Sequence, residues 1–114
     1  MVLQIGEKIH LIVRRRFDTD LRRHFVGEVK QVSEFLARVA GYTFVFDANA
    51  GSLVKRPGLR VRLFSLIGEG NIINVIPESA NLDKVAYKMS REGRLVVTDD
   101  ESFSLDVNEF GTNI

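Results

Sequence analysis

The sequence predicts a mainly β fold that carries a C-terminal helix and β-hairpin as an extension, and three observations predict it. Two runs dense in β-branched and aromatic residues, Val39 to Phe46 and Leu59 to Ile67, are followed by the short apolar run Ile72 to Ile76, which Pro77 stops. Such residues pack well on a pleated surface, and Gly and Pro supply the reversals between strands. A period of two recurs upstream of these runs, and after Pro77 the apolar spacing becomes helical. With 114 residues the chain is most economically a single domain, 1–114, with a β body over 5–77 and an extension over 78–114.

The first strand lies within Ile5 to Val13, where Ile5, Ile9, Leu11 and Val13 alternate with Gly6, Lys8, His10 and Arg14. A polar connection through Arg15 to Arg23 leads to a second strand around His24 to Val32. Gly27 inside it predicts a bend or a close backbone approach. Ser33 to Arg38 reads as a loop. The strand Val39 to Phe46 is apolar on both faces, so it is buried on both sides or lies in a subunit interface. Asp47 to Ser52 is turn chemistry, and Arg56-Pro57-Gly58 breaks the chain before Leu59 to Ile67. Beyond Pro77, Asn81 offers an N-cap, and Leu82, Val85, Ala86 and Met89 fall at the spacing of a helix of about three turns. Arg94 to Thr98 and Ser102 to Val107 flank Asp99-Asp100-Glu101 as a hairpin, and 109–114 reads as a frayed end.

Composition excludes several classes. There is no cysteine, which removes disulfides, thiolate nucleophiles and sulfur-ligated zinc. The start lacks the order of a signal peptide, and no apolar run approaches the roughly 20 residues of a membrane helix, so the chain reads as cytoplasmic and without a membrane partner. The net charge of +1 conceals an asymmetry: 12 Lys or Arg against 7 Asp or Glu through Pro77, and 4 against 8 from Glu78 onward. A basic body attracts phosphate backbones or acidic partners.

His10 and His24 have no carboxylate at metal-ligand spacing and read as ordinary surface or half-buried side chains. Gly68-Glu69-Gly70 lacks the later glycine, the lysine and the helix of a phosphate loop, and no Gly-x-Ser-x-Gly elbow is present. The expectation is a non-enzymatic protein without metal or cofactor. Arg14, Arg15, Arg16, Arg22 and Arg23 bracket one loop around Phe17. Arginine offers bidentate phosphate contacts and stacking, so these residues, with Phe17 as a stacking group, are the candidate contacts to nucleic acid or another polyanion. A solubilising loop neutralised by Asp18 and Asp20 is the equally weighted alternative.

Read as a unit, Phe25-Val26-Gly27-Glu28-Val29, then Tyr42-Thr43-Phe44-Val45-Phe46-Asp47, then Leu63 to Pro77 around Gly68 and Gly70, resembles the Sm-like (LSm) family. The resemblance implies a small, strongly bent five-stranded barrel over 5–77. It also implies a homo-oligomeric ring joined edge to edge through Ile72, Ile73, Val75 and Ile76, and single-stranded RNA at the pore, where Tyr42 or Phe35 would stack on bases. The family's pore-loop aspartate and asparagine fall at Ser33 and Thr43, and its arginine at Ile67 or Glu69, so none of the three is matched. An oligomeric structural or protein-interaction module without nucleic acid is the alternative. A nucleotide-sensing barrel of the PilZ type rests on the arginine run alone.

Overall fold

A computed structural model describes residues 2–68 and 70–107. It contains nine strands: β1 (Lys8–Val13), β2 (Arg23–Val32), β3 (Leu36–Asp47), β4 (Ser52–Lys55), β5 (Arg60–Ser65), β6 (Ile72–Ile76), β7 (Ala86–Met89), β8 (Leu95–Thr98) and β9 (Ser104–Asp106). The first six form one antiparallel sheet in the order β4-β3-β2-β1-β6, with β5 also paired to β3, and the last three form a second sheet, β7-β8-β9. The expected frayed end, 109–114, lies outside the described residues.

The expected five-stranded barrel is not present: six strands pair, and the sheet stays open. The cause is the twelve-residue β3, whose far edge is shared by β4 along Phe44–Asp47 and by β5 along Leu36–Gly41. The path ends at β6, which pairs only with β1, and among the described residues the outer edges of β5 and β6 do not meet. The sheet nevertheless curls, because Phe64 of β5 and Ile73 of β6 pack on the same cluster of Ile9, Leu11, Phe25, Val29, Ala37 and Val39. Two glycines facing each other let β2 and β3 approach where it bends. Gly27 lies opposite Gly41, and a Cβ on Gly41 would fall 2.0 Å from the Val26 carbonyl oxygen. An extra residue in β2 between Val29 and Gln31 forms a bulge, which shifts its alternation.

The expected C-terminal helix is absent. Asn81 does cap a helical turn, its side chain accepting from the Asp83 N–H, but that turn is a single 3-10 turn, Leu82–Lys84, and Val85 is already extended. The apolar spacing of Leu82, Val85, Ala86 and Met89 fits a helix, yet Val85 and Tyr87 also fit a strand. The strand prevails because Val85 and Tyr87 pack under the larger sheet while Ala86 and Lys88 face solvent. The expected hairpin forms as β8 and β9. Its turn is held by Asp99, whose carboxylate accepts from the backbone N–H groups of Asn81, Glu101, Ser102 and Phe103.

Residues that face each other on paired strands share a side, which sorts the larger sheet into two faces. Val26, Phe44, Leu53 and Ile76 lie on one and are covered by Val85, Val97 and Val107 of the small sheet and its approach. Ile9, Leu11, Phe25 and Val39 lie on the other, the concave face. Burial of a side chain such as Phe25 or Phe44 stabilises by about 1.5–3 kcal/mol.

Candidate functional site

The edges of the larger sheet are its most exposed apolar feature. On β6, Val75 is 61% exposed and Ile72 37%, whereas Ile76 is buried and Ile73 packs into the concave core. On β5, Val61 and Leu63 are 58% and 57% exposed. Soluble proteins normally blunt edge strands with charge, proline or a bulge. β6 reads Ile-Ile-Asn-Val-Ile, without a charge or a proline inside it. β5 carries Arg60 and Arg62 on one side only, with Val61 and Leu63 on the other.

The five arginines of the β1–β2 connection are not gathered. Arg14 extends away over Gly70, and its N–H donates to Asn71 Oδ1 at 3.0 Å. Arg15 folds back onto the Asp18 carbonyl at 3.3 Å, while Asp20 accepts from the N–H groups of Arg16 and Phe17. Phe17 itself projects into solvent. Arg22 lies 5.2 Å from the centre of the Phe46 ring. Arg23 stands apart, on the concave side, together with Arg60 and Arg62. Tyr42 is on the opposite face: its hydroxyl donates to Asp83 at 2.5 Å and Lys55 Nζ sits 3.8 Å over its ring. The asparagine-like position Thr43 is on the concave face instead, and nothing in the local pattern marks it.

The histidines, which the sequence leaves as ordinary side chains, form a buried polar cluster between the sheets. His10 and His24 are 0% and 1% exposed. Their faces meet because His10 lies opposite Val26, and His24 opposite Ile12. His10 Nε2 is 3.1 Å from His24 Nδ1 and 2.9 Å from the Tyr87 hydroxyl, which is 2.6 Å from His24 Nδ1; Asn74 Nδ2 is 3.2 Å from His10 Nδ1. One assignment pairs three of the four contacts: Asn74 donates to His10 Nδ1, His10 Nε2–H donates to the Tyr87 hydroxyl, and Tyr87 donates to His24 Nδ1, whose one ring lone pair is then used. Both rings are then neutral, and the His24 Nε2–H is buried without a partner. Burial drives the His10 pKa down to about 4, and burial with the neighbouring His10 takes His24 to about 3. Burial likewise pushes the Tyr87 hydroxyl well above its ordinary 10.

No protein-family model, curated protein or solved structure matches the chain. The resemblance to the Sm-like family therefore rests on the glycine and alternation pattern of the sequence. Among the described residues no three His, Asp or Glu side chains come together as a metal site, and no helix is long and apolar enough to cross a membrane. The geometry leaves one strand edge, β6, without charge or proline, and gathers cationic groups on the concave face.

Proposed function

We propose that the chain is a non-enzymatic module that assembles with copies of itself, the outer edge of β6 in one copy adding to the outer edge of β5 in the next. The observation that carries this reading is β6, a five-residue edge strand with no charged residue and with Val75 61% exposed. Strand addition satisfies the unpaired backbone groups of both edges and places a neighbouring strand beside Val61 and Leu63 on one face and beside Val75 on the other. Because the two edges differ, the contact is head-to-tail, which closes into a ring when the rotation per copy allows it. The scattered loop arginines lend this assembly no common nucleic-acid surface, so the structural reading takes precedence over an RNA-binding one.

Native mass by light scattering on a sizing column, with absorbance at 260 and 280 nm, tests it. The expected result is one discrete species at a multiple of 12.9 kDa. Val75→Lys on one edge and Leu63→Lys on the other should each reduce it to the monomer while the circular dichroism stays that of the parent. A parent chain that is monomeric at every concentration overturns the proposal.

A further inference from the structure

The concave face of the larger sheet does not end in apolar side chains. Past the Phe25–Phe64 contact, with ring centres 5.1 Å apart, it opens into a cup of about 380 Å³ walled by Arg23, Arg56, Arg60 and Arg62, with Thr43 among its lining. The register explains the convergence. Arg23 lies opposite Val45, Arg60 opposite Gly41 and Arg62 opposite Val39, which places all three arginines on the same face. Gly41 puts no side chain between them, and the Arg56 N–H is tied to the Thr43 carbonyl at 2.8 Å.

Two observations single out this cup. No carboxylate lines it, and among the described residues none of its four guanidiniums has a hydrogen bond, an ion pair or a ring contact. Like charges held on one concave wall repel each other and focus a positive potential into the space they enclose. Independently, Thr43 is 4% exposed and its Oγ1 is buried without any partner. Buried hydroxyls are normally satisfied, because leaving one unpaired forfeits its hydration.

We propose that this cup is a binding site for a compact polyphosphate group, a chain of two or three phosphoryl units. The guanidiniums grip its outer oxygens, and a χ1 rotation of Thr43, whose hydroxyl is out of reach of solvent as it stands, would bring that hydroxyl to the innermost one. Arginine's planar fork matches phosphate oxygens in pairs, and the volume is that of a small-ligand site. A triphosphate carries about as many negative charges as the cup holds guanidiniums. A nucleic-acid strand is the poorer fit, since strand-binding grooves track the backbone and offer aromatic platforms. No aromatic side chain lines the cup. The site goes beyond self-assembly and does not require it.

Calorimetric titration of the full chain with inorganic tripolyphosphate, at low and moderate salt, tests the inference. One saturable site per chain is expected, weakened by salt. Arg60→Gln and Arg62→Gln should each loosen it roughly tenfold, and Thr43→Val should loosen it several-fold. Arg91→Gln, on an exposed turn remote from the cup, should leave it unchanged. A nucleoside triphosphate that binds as tightly as tripolyphosphate shows that the phosphate chain alone is read; tighter binding shows that the nucleoside is read as well. Either result sustains the site. No saturable binding of tripolyphosphate, equal affinity in the Arg60→Gln and Arg62→Gln variants, or binding of a single-stranded homopolymer without tripolyphosphate overturns it.

Discussion

The two faces of the larger sheet solve the same problem to different degrees. On the face covered by the small sheet, most of the polar atoms that β1 and β2 bury find one another: His10, His24, Tyr87 and Asn74 make contacts between 2.6 and 3.2 Å, and of this set only His24 Nε2 is left without a partner. On the concave face the polar groups at the end of the core do not. Thr43 is buried without a partner, and the arginines around it are unpaired among the described residues. Covered polar groups that satisfy one another stabilise a fold; the groups around the cup are the ones the proposed polyphosphate would meet.

The edit that should break both faces at once is at the point they share. Gly41→Val places a Cβ where the Val26 carbonyl oxygen is 2.0 Å away and the Gly27 Cα 2.5 Å, and both obstacles are backbone. The strands cannot keep their register around it. The expected loss exceeds about 4 kcal/mol, read as the absence of a cooperative thermal transition. A folded variant with a melting point near the parent's would show that the close approach of β2 and β3 is dispensable.

Acid should separate the faces next. As the pH falls below the ordinary histidine value of 6.5, the unfolded chain takes up protons that the folded chain refuses, because His10 and His24 hold pKa values of about 4 and about 3. Their contribution is whole above pH 6.5, declines as the pH falls towards those values, and levels off below them. At about 1.4 kcal/mol per unit of separation, the pair accounts for a loss on the order of 8 kcal/mol when the decline is complete, of which roughly 5 kcal/mol falls above pH 4.5. Asp99 adds to it in the same direction below pH 3.8: burial raises its pKa, but the N–H groups of Asn81, Glu101, Ser102 and Phe103 overcome that and hold it below the ordinary carboxylate value. Urea unfolding at pH 7, 5.5 and 4.5 reads the decline, and a flat profile would mean that the histidines titrate normally.

Much of the larger sheet is legible in the sequence, because the alternation of Ile9 and Leu11, the run Val39 to Phe46, and Ile72 to Ile76 leave few other ways to bury their side chains. The hairpin is legible for the same reason. Closure is not, since it depends on whether the edges of β5 and β6 meet in space, and no local pattern encodes that. The mistaken helix has a local cause: Leu82, Val85, Ala86 and Met89 fit one period while Val85 and Tyr87 fit another, and only the cluster awaiting the Tyr87 hydroxyl decides between them. The cup is invisible for a third reason. Arg23 and Arg60 are far apart in the chain and meet only through the registers of two different strand pairs.

The finest test of the contrast is one chemical edit made on each face. Tyr87→Phe removes a hydroxyl that contacts both His10 Nε2 and His24 Nδ1, so it strips a buried acceptor of its donor and should destabilise by about 1–3 kcal/mol. Thr43→Val removes a hydroxyl that contacts nothing and replaces it with a methyl group of similar size among Val45 and its neighbours. No partner is orphaned and no cavity is opened, so the unliganded protein should keep its stability or gain up to about 1 kcal/mol. Paired thermal melts without phosphate decide the matter. Equal losses in the two variants would mean that Thr43 has a partner in the fold after all, and the distinction between the histidine cluster and the cup would go with it.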